Sequence, residues 1–326
     1  MNNAPFFIVG SGRSGSTWLR MMLASHSRLA IPPETWFLNR MPDLLELGRP
    51  LTSKEAERAL DIMTGHYRWP DFQIDASAFR RQVAQLARPH LREIVELVYA
   101  KHVERDGKRR WGDKTPGYIA LAPQLVRLFP GAKFIHLFRD GRDVAKSFQS
   151  KRWNGRWLHD NTQEWNEAMD FNLRWSRTEL AKHFLQVRYE DLVLDTEATM
   201  RRICDFLEEQ FEPAMLTWQE KVDDLVPGRE AAIHERLKDI PSATDTYRWK
   251  REMTAREILV SEAFMGRHLR AHGYELHFSS PAWNPLLFLT RWYCLRALPA
   301  LGLCLRTLRG LPQRLSGRST RVRAEP

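Results

Sequence analysis

The sequence predicts an α/β fold of three layers, a central parallel sheet flanked by helices. Two observations carry that expectation. Apolar runs of strand length alternate with stretches of helical periodicity along most of the chain. Two of those runs, Phe6–Gly10 and Lys133–Phe138, also lead through a glycine-containing turn into a helix. At 326 residues, 43% hydrophobic and 28% charged, the chain can bury a substantial core in one large domain or two ordinary ones.

The first strand is Phe6–Gly10. Residues 29–31 form a short second strand, Lys133–Phe138 a third and residues 184–189 a fourth. Between the second and third, Leu91, Ile94, Val95 and Val98 recur at helical spacing. Thr254 and Glu257 have the spacing of a capping box. They open a helix that carries Ile258, Leu259, Phe264, Met265 and Leu269 and stops at Gly273. The main domain is assigned to residues 1–276, and residues 277–326 form a tail rich in Trp, Leu and Arg.

The loop after the first strand reads Gly10-Ser11-Gly12-Arg13-Ser14-Gly15-Ser16-Thr17. A buried strand, a glycine-rich turn and a helix make an anion cradle, because backbone N–H groups and the positive helix end face the turn. The spacing has the frame of a P-loop, which makes the predicted sheet P-loop NTPase-like, but the usual lysine is replaced by Ser16 and the cation has moved to Arg13.

A second site lies at Phe138-Arg139-Asp140-Gly141-Arg142-Asp143, with Ser147 two turns into the following helix. Arg139 stands at the carboxyl end of its strand, the edge where open α/β sheets bind ligands. A guanidinium fork plus a hydroxyl suits a phosphate. Asp140 and Asp143 read as caps of the helix N-terminus; a magnesium-ligand role for Asp140 sits badly beside an arginine. Two anion sites without the loop lysine or a convincing metal carboxylate fit γ-phosphoryl transfer poorly. They fit transfer of a neutral SO3 unit from a donor with phosphates at both ends.

Charge and cysteine narrow the class further. Of the formal net charge of +10, the residues from 281 onward hold +7, eight arginines against one glutamate, so the basicity belongs mainly to the tail and no nucleic-acid partner is expected for the domain. Within the tail, Arg291, Arg306 and Arg309 fall within about 60° on a helical wheel, as in an interfacial amphipathic helix touching a membrane surface. A helix packed on the domain or a partner is the plainer alternative. Cys204, Cys294 and Cys304 make neither a disulfide framework nor a zinc site. No apolar run reaches membrane-spanning length and no secretory leader is apparent, so a cytoplasmic location is expected. His26 and His136 read as structural, and no metal is expected. Ala168, Phe171 and Trp175 fall at helical spacing, so packing is the expected role for most tryptophans of this region, whereas Trp153 and Trp157, around the Asn154-Gly155 turn, are candidates for lining a cleft.

With these motifs in order, the chain resembles sulfotransferases that use 3′-phosphoadenosine 5′-phosphosulfate (PAPS), most closely the tyrosylprotein and heparan types. The resemblance covers residues 5–276. It implies that Gly12, Arg13, Ser14, Gly15, Ser16 and Thr17 form the 5′-phosphosulfate loop, with Ser16 in place of a threonine. It implies a 3′-phosphate site at Arg139 and Ser147, with Lys151 replacing a further phosphate-binding arginine. Tyr189, in Arg188-Tyr189-Glu190-Asp191-Leu192, matches an aromatic near the nucleotide, and Arg248-Trp249-Lys250 matches a late loop closing over it. An acceptor hydroxyl needs a base, and the resemblance gives that role to Glu34, in Pro32-Pro33-Glu34-Thr35-Trp36. Lys114, in Asp113-Lys114-Thr115-Pro116, is matched to the lysine that stabilises the transferring group; an isolated lysine is otherwise a solvated charge. Together with Arg13 these are the catalytic candidates. The segments 36–110 and 149–183 are expected to shape the pocket of an acceptor whose class the sequence leaves open. Two other readings fit parts of the chain: a nucleotide kinase-like phosphotransferase, and a non-catalytic nucleotide- or membrane-binding relative.

Overall fold

A computed structural model describes residues 3–151, 158, 162–221 and 239–278. The chain divides into two compact units, Met1–His277 and Phe278–Pro326; the fold below is that of the first. Trp153, Trp157, Cys294, Cys304 and the arginine-rich tail lie outside the described residues.

Five parallel strands form one sheet in the order β2-β3-β1-β4-β5. They are β1 (Phe6–Gly10), β2 (Leu29–Ala30), β3 (Arg110–Lys114), β4 (Lys133–Phe138) and β5 (Phe184–Arg188). Between β1 and β2 runs α1 (Ser16–Ala24). Then α2 (Pro42–Leu45), α3 (Ser53–Thr64), α4 (Ala76–Ala84) and α5 (Leu91–Arg105) separate β2 from β3. After β3 come α6 (Ala122–Leu128), β4, α7 (Gly141–Lys151), α8 (Gln163–Trp175) and β5. The unit closes with α9 (Tyr189–Leu194), α10 (Thr196–Leu207), α11 (Trp249–Glu252) and α12 (Ala255–Ala271). Thr254 and Glu257 cap α12 reciprocally, as their spacing predicts.

Strand β3 was not assigned from the sequence, because Arg-Trp-Gly-Asp-Lys lacks an apolar pattern. It is nevertheless fully buried, since each charge finds a partner. Arg110 donates to the carbonyls of Ala4 and Leu207 and pairs with Glu209 at 3.0 Å. The central strands β1 and β4 are mostly apolar on both faces, as parallel strands between helices tend to be, whereas the edge strand β5 is only partly buried. One face places Phe6, Ile8, Ile135, Leu137 and Val187 against α1, α9 and α10. On the other, Phe7 stacks on Phe134 at 5.1 Å and Phe134 on Phe184 at 4.9 Å, with Trp111 stacked on Tyr99 at 4.0 Å.

The reversal of strand order at β1 opens a crevice at the carboxyl ends of β1 and β4. Among the described residues, no helix is long and apolar enough to cross a membrane, and no group of three or more His, Cys, Asp or Glu could hold a metal ion. A Cβ at Gly112 would be driven into the ring of Phe6, its neighbour across the β1–β3 pair. Gly112→Ala should therefore cost about 1–3 kcal/mol, read as a lower urea midpoint at unchanged slope.

Candidate active site

All five strands deliver a candidate residue to the same edge. The anion loop follows β1, Glu34 follows β2, Lys114 ends β3, Arg139 follows β4 and Tyr189 follows β5.

Gly10 ends β1 at φ 145°, and a Cβ there would collide with the carbonyl oxygen of Leu137, so β1 and β4 approach closely where the loop begins. Arg13 takes a left-handed conformation at φ 64°, a strained choice for a residue with a side chain. Gly15, at φ 90°, caps α1 without a side chain, and a Cβ on it would stand 2.6 Å from the Tyr189 ring. Glycine here both turns the loop and admits the aromatic. The Gly12 N–H donates to Glu164 Oε1 at 2.6 Å. A carboxylate of α8 thus accepts from a backbone amide of the loop.

The second clamp is tied to the first. Arg13 Nε donates to Ser147 Oγ at 3.0 Å, so the hydroxyl expected beside Arg139 reaches across to the loop. Arg139 lies over the Tyr189 ring, 4.5 Å from its centroid, donates to Asp143 at 3.1 Å and to the Asp245 carbonyl at 2.7 Å, and its buried Nε has no partner among the described residues. Burial and then the charge of Arg139 lower the pKa of Arg13. Burial also opposes the charge on Arg139, but Asp143, Tyr189 and Glu190 outweigh it and raise its pKa.

Asp140 does cap α7: its Oδ1 accepts from the Arg142 N–H at 2.9 Å. Its other contacts, to the Arg142 guanidinium at 2.8 Å and Trp249 Nε1 at 3.0 Å, fill the carboxylate with donors. Asp143 accepts from the backbone N–H groups of Arg248 and Trp249, which joins that late segment to Arg139. The side chains of the segment face elsewhere. Arg248 pairs with Glu252, and Trp249 is buried beneath the Arg142 guanidinium at 3.6 Å. Glu190 is buried, accepting from the Asp140 N–H at 3.0 Å and Tyr274 OH at 2.9 Å. Lys151 ends α7, and its side chain lies outside the described residues. Trp165 is buried in the core and donates to the Arg139 carbonyl at 2.9 Å. His136 is buried within β4, which lowers its pKa to about 3 and keeps it neutral.

On the β2–β3 side, Lys114 Nζ donates to Glu34 Oε1 and, at 3.1 Å, to Thr17 Oγ1 of α1. Glu34 Oε2 accepts from Trp36 Nε1 at 2.7 Å and pairs with Arg68 at 3.2 Å. Burial pushes the Glu34 carboxyl up, but the charges of Lys114 and Arg68 and the two hydrogen bonds bring it down to about 2. Beneath the pair, Thr35 Oγ1 donates to Asp113 Oδ2 at 2.9 Å, linking the chain neighbours of Glu34 and Lys114; burial raises Asp113 to about 6. Sequence reasoning missed Arg68 and Glu164. Neither lies in a motif, and only the fold brings them to the site.

The model described as the sulfotransferase family matches residues 5–213. The chain belongs to the sulfotransferase family. It is 31% identical over 228 residues to protein-tyrosine sulfotransferase A of Caenorhabditis elegans, covering 67% of this chain and 52% of that protein. Identity to the protein-tyrosine sulfotransferase of Drosophila melanogaster is 28% over 222 residues, or 67% of this chain and 40% of that one. The chain spans about half the length of the curated relatives it matches. Among solved structures, the sulfotransferase domain from the curacin biosynthetic pathway superposes with TM-score 0.57 at 25% identity, covering 85% of this chain and 99% of that domain. The domain from the Synechococcus PCC 7002 olefin synthase gives 0.54 at 28% identity, over 81% and 95%.

The lowered Glu34 pKa has a thermodynamic signature. Its stabilisation is fully present above the ordinary value of 4.5 and is lost as pH falls toward about 2, because the unfolded chain takes up the proton first. The stability advantage of wild type over Glu34→Gln should be roughly 3 kcal/mol near neutrality. Chemical denaturation across that window should show it shrinking steadily with acidification.

Proposed function

We propose that the chain transfers a sulfuryl group from PAPS to an acceptor hydroxyl. The observation that carries this reading is the Arg13–Ser147 hydrogen bond, which joins two arginine-anchored anion sites across one crevice. The Glu164 carboxylate on the loop amide and the Arg139 Nε, which has no partner among the described residues, both fit a ligand with anions at two ends. PAPS supplies an activated sulfuryl group attached to a phosphate leaving group.

The loop N–H groups of residues 12–17 and Arg13 hold the 5′ end and compensate its charge. Arg139 and Ser147 hold the 3′-phosphate, with Lys151 as a further cation and Tyr189 as an aromatic wall. The backbone of Arg248 and Trp249 steadies Arg139 through Asp143. Lys114 bridges α1 and Glu34, so it lies where charge on the leaving oxygen can be stabilised. Glu34 takes the acceptor's hydroxyl proton. Relatives named protein-tyrosine sulfotransferases support a hydroxyl acceptor.

Calorimetry should detect binding of adenosine 3′,5′-bisphosphate, weakened about tenfold to a hundredfold by Arg13→Ala or Arg139→Ala. Absence of binding by the wild-type chain would overturn the reading. Glu34→Gln should retain that affinity while transfer of radiolabelled sulfate falls about 10²–10⁴-fold. Lys114→Ala should lose about 10²–10³-fold in rate.

A further inference from the structure

We propose that Trp36 and Arg68 are positioning residues that clamp one oxygen of Glu34, so that the other faces Lys114 and the donor site. The inference rests on the base role given to Glu34 above, but its geometry is independent of the donor.

The two oxygens of Glu34 have different surroundings. Oε2 receives two donors, Trp36 Nε1 at 2.7 Å and the Arg68 guanidinium at 3.2 Å. Oε1 receives the Lys114 ammonium, whose other contact is Thr17 in the first turn of α1. The indole N–H can only donate, and its place is fixed twice. Trp36 takes a left-handed backbone at φ 55°, and its ring lies so close over Gly117 that a Cβ there would approach it to 2.9 Å. Arg68 is held in turn: its Nε donates to Tyr67 OH at 3.2 Å, its Cζ lies 5.6 Å from the Tyr67 ring centroid, and Asp71 lies 3.9 Å away.

A carboxylate oxygen with two fixed donors is a poor proton acceptor, because protonation would displace them. Oε1 gives up Lys114, a cation that the developing charge on the leaving group attracts. The clamp therefore assigns the proton to Oε1 and makes the release of Lys114 the step that raises its basicity. It also holds that oxygen toward Lys114, and small misplacements of a catalytic group cost rate steeply. The charged and titratable groups facing Glu34 are Lys114, Arg68, Asp113 and Tyr118.

The test uses the full chain labelled with carboxyl ¹³C-glutamate, the Glu34 signal being identified by its loss in Glu34→Gln. In Arg68→Gln the Glu34 titration should rise by about one pH unit, and Trp36→Phe should raise it less. Arg68→Lys should restore part of the shift. Sulfate transfer by Arg68→Gln should fall at least tenfold in kcat, with its acidic limb moved in the same direction and the affinity for adenosine 3′,5′-bisphosphate unchanged. A Glu34 titration unmoved in Arg68→Gln would overturn the clamp, even in an enzyme that transfers sulfate normally. A moved titration in a chain that binds no bisphosphate would support the clamp and sink the nucleotide reading alone.

Discussion

Two guanidinium groups side by side in a crevice repel one another, and burial removes the water that would screen them. The Arg13–Arg139 pair sets that problem at the centre of this fold. The solution is uneven. Arg139 has Asp143 against it, the Tyr189 ring beneath it and Glu190 nearby, and is held firmly charged. For Arg13, burial and the neighbouring cation leave a net penalty on charge. An anion bound there, as proposed above, would relieve that penalty.

The same logic governs the other half of the site. Lys114 is buried at the end of β3 and Glu34 is half-buried in the segment after β2, where a lone charge of either sign would be costly. Their neighbours in sequence, Asp113 and Thr35, are bonded to each other, and Tyr99 OH donates to the same Asp113 oxygen at 2.9 Å. Residues 34–35 after β2 are therefore tied to residues 113–114 at the end of β3.

Local chemistry was legible in the sequence and long-range compensation was not. The glycine spacing of residues 10–15 announces a strand, turn and helix because the constraint lies within the turn itself. Arg139 and Ser147 are marked by their place at a strand end and two helical turns beyond it, although the fold aims the serine at Arg13. Strand β3 escaped because three of its five residues are charged, and their partners Glu209, Thr35 and Glu34 are set by tertiary structure. Glu164 and Arg68 escaped for a related reason: Glu164 meets Gly12 from 152 positions away, and no periodicity encodes that meeting. Trp249 shows the converse, a motif residue whose indole is spent on a buried carboxylate.

Consecutive residues of α8 touch both clamps at once. Glu164 meets the Gly12 amide, and Trp165 meets the Arg139 carbonyl. That helix acts as a splint between the two strand ends. A guest that took the Gly12 amide would have to displace the Glu164 carboxylate, one residue from the indole that holds the Arg139 carbonyl.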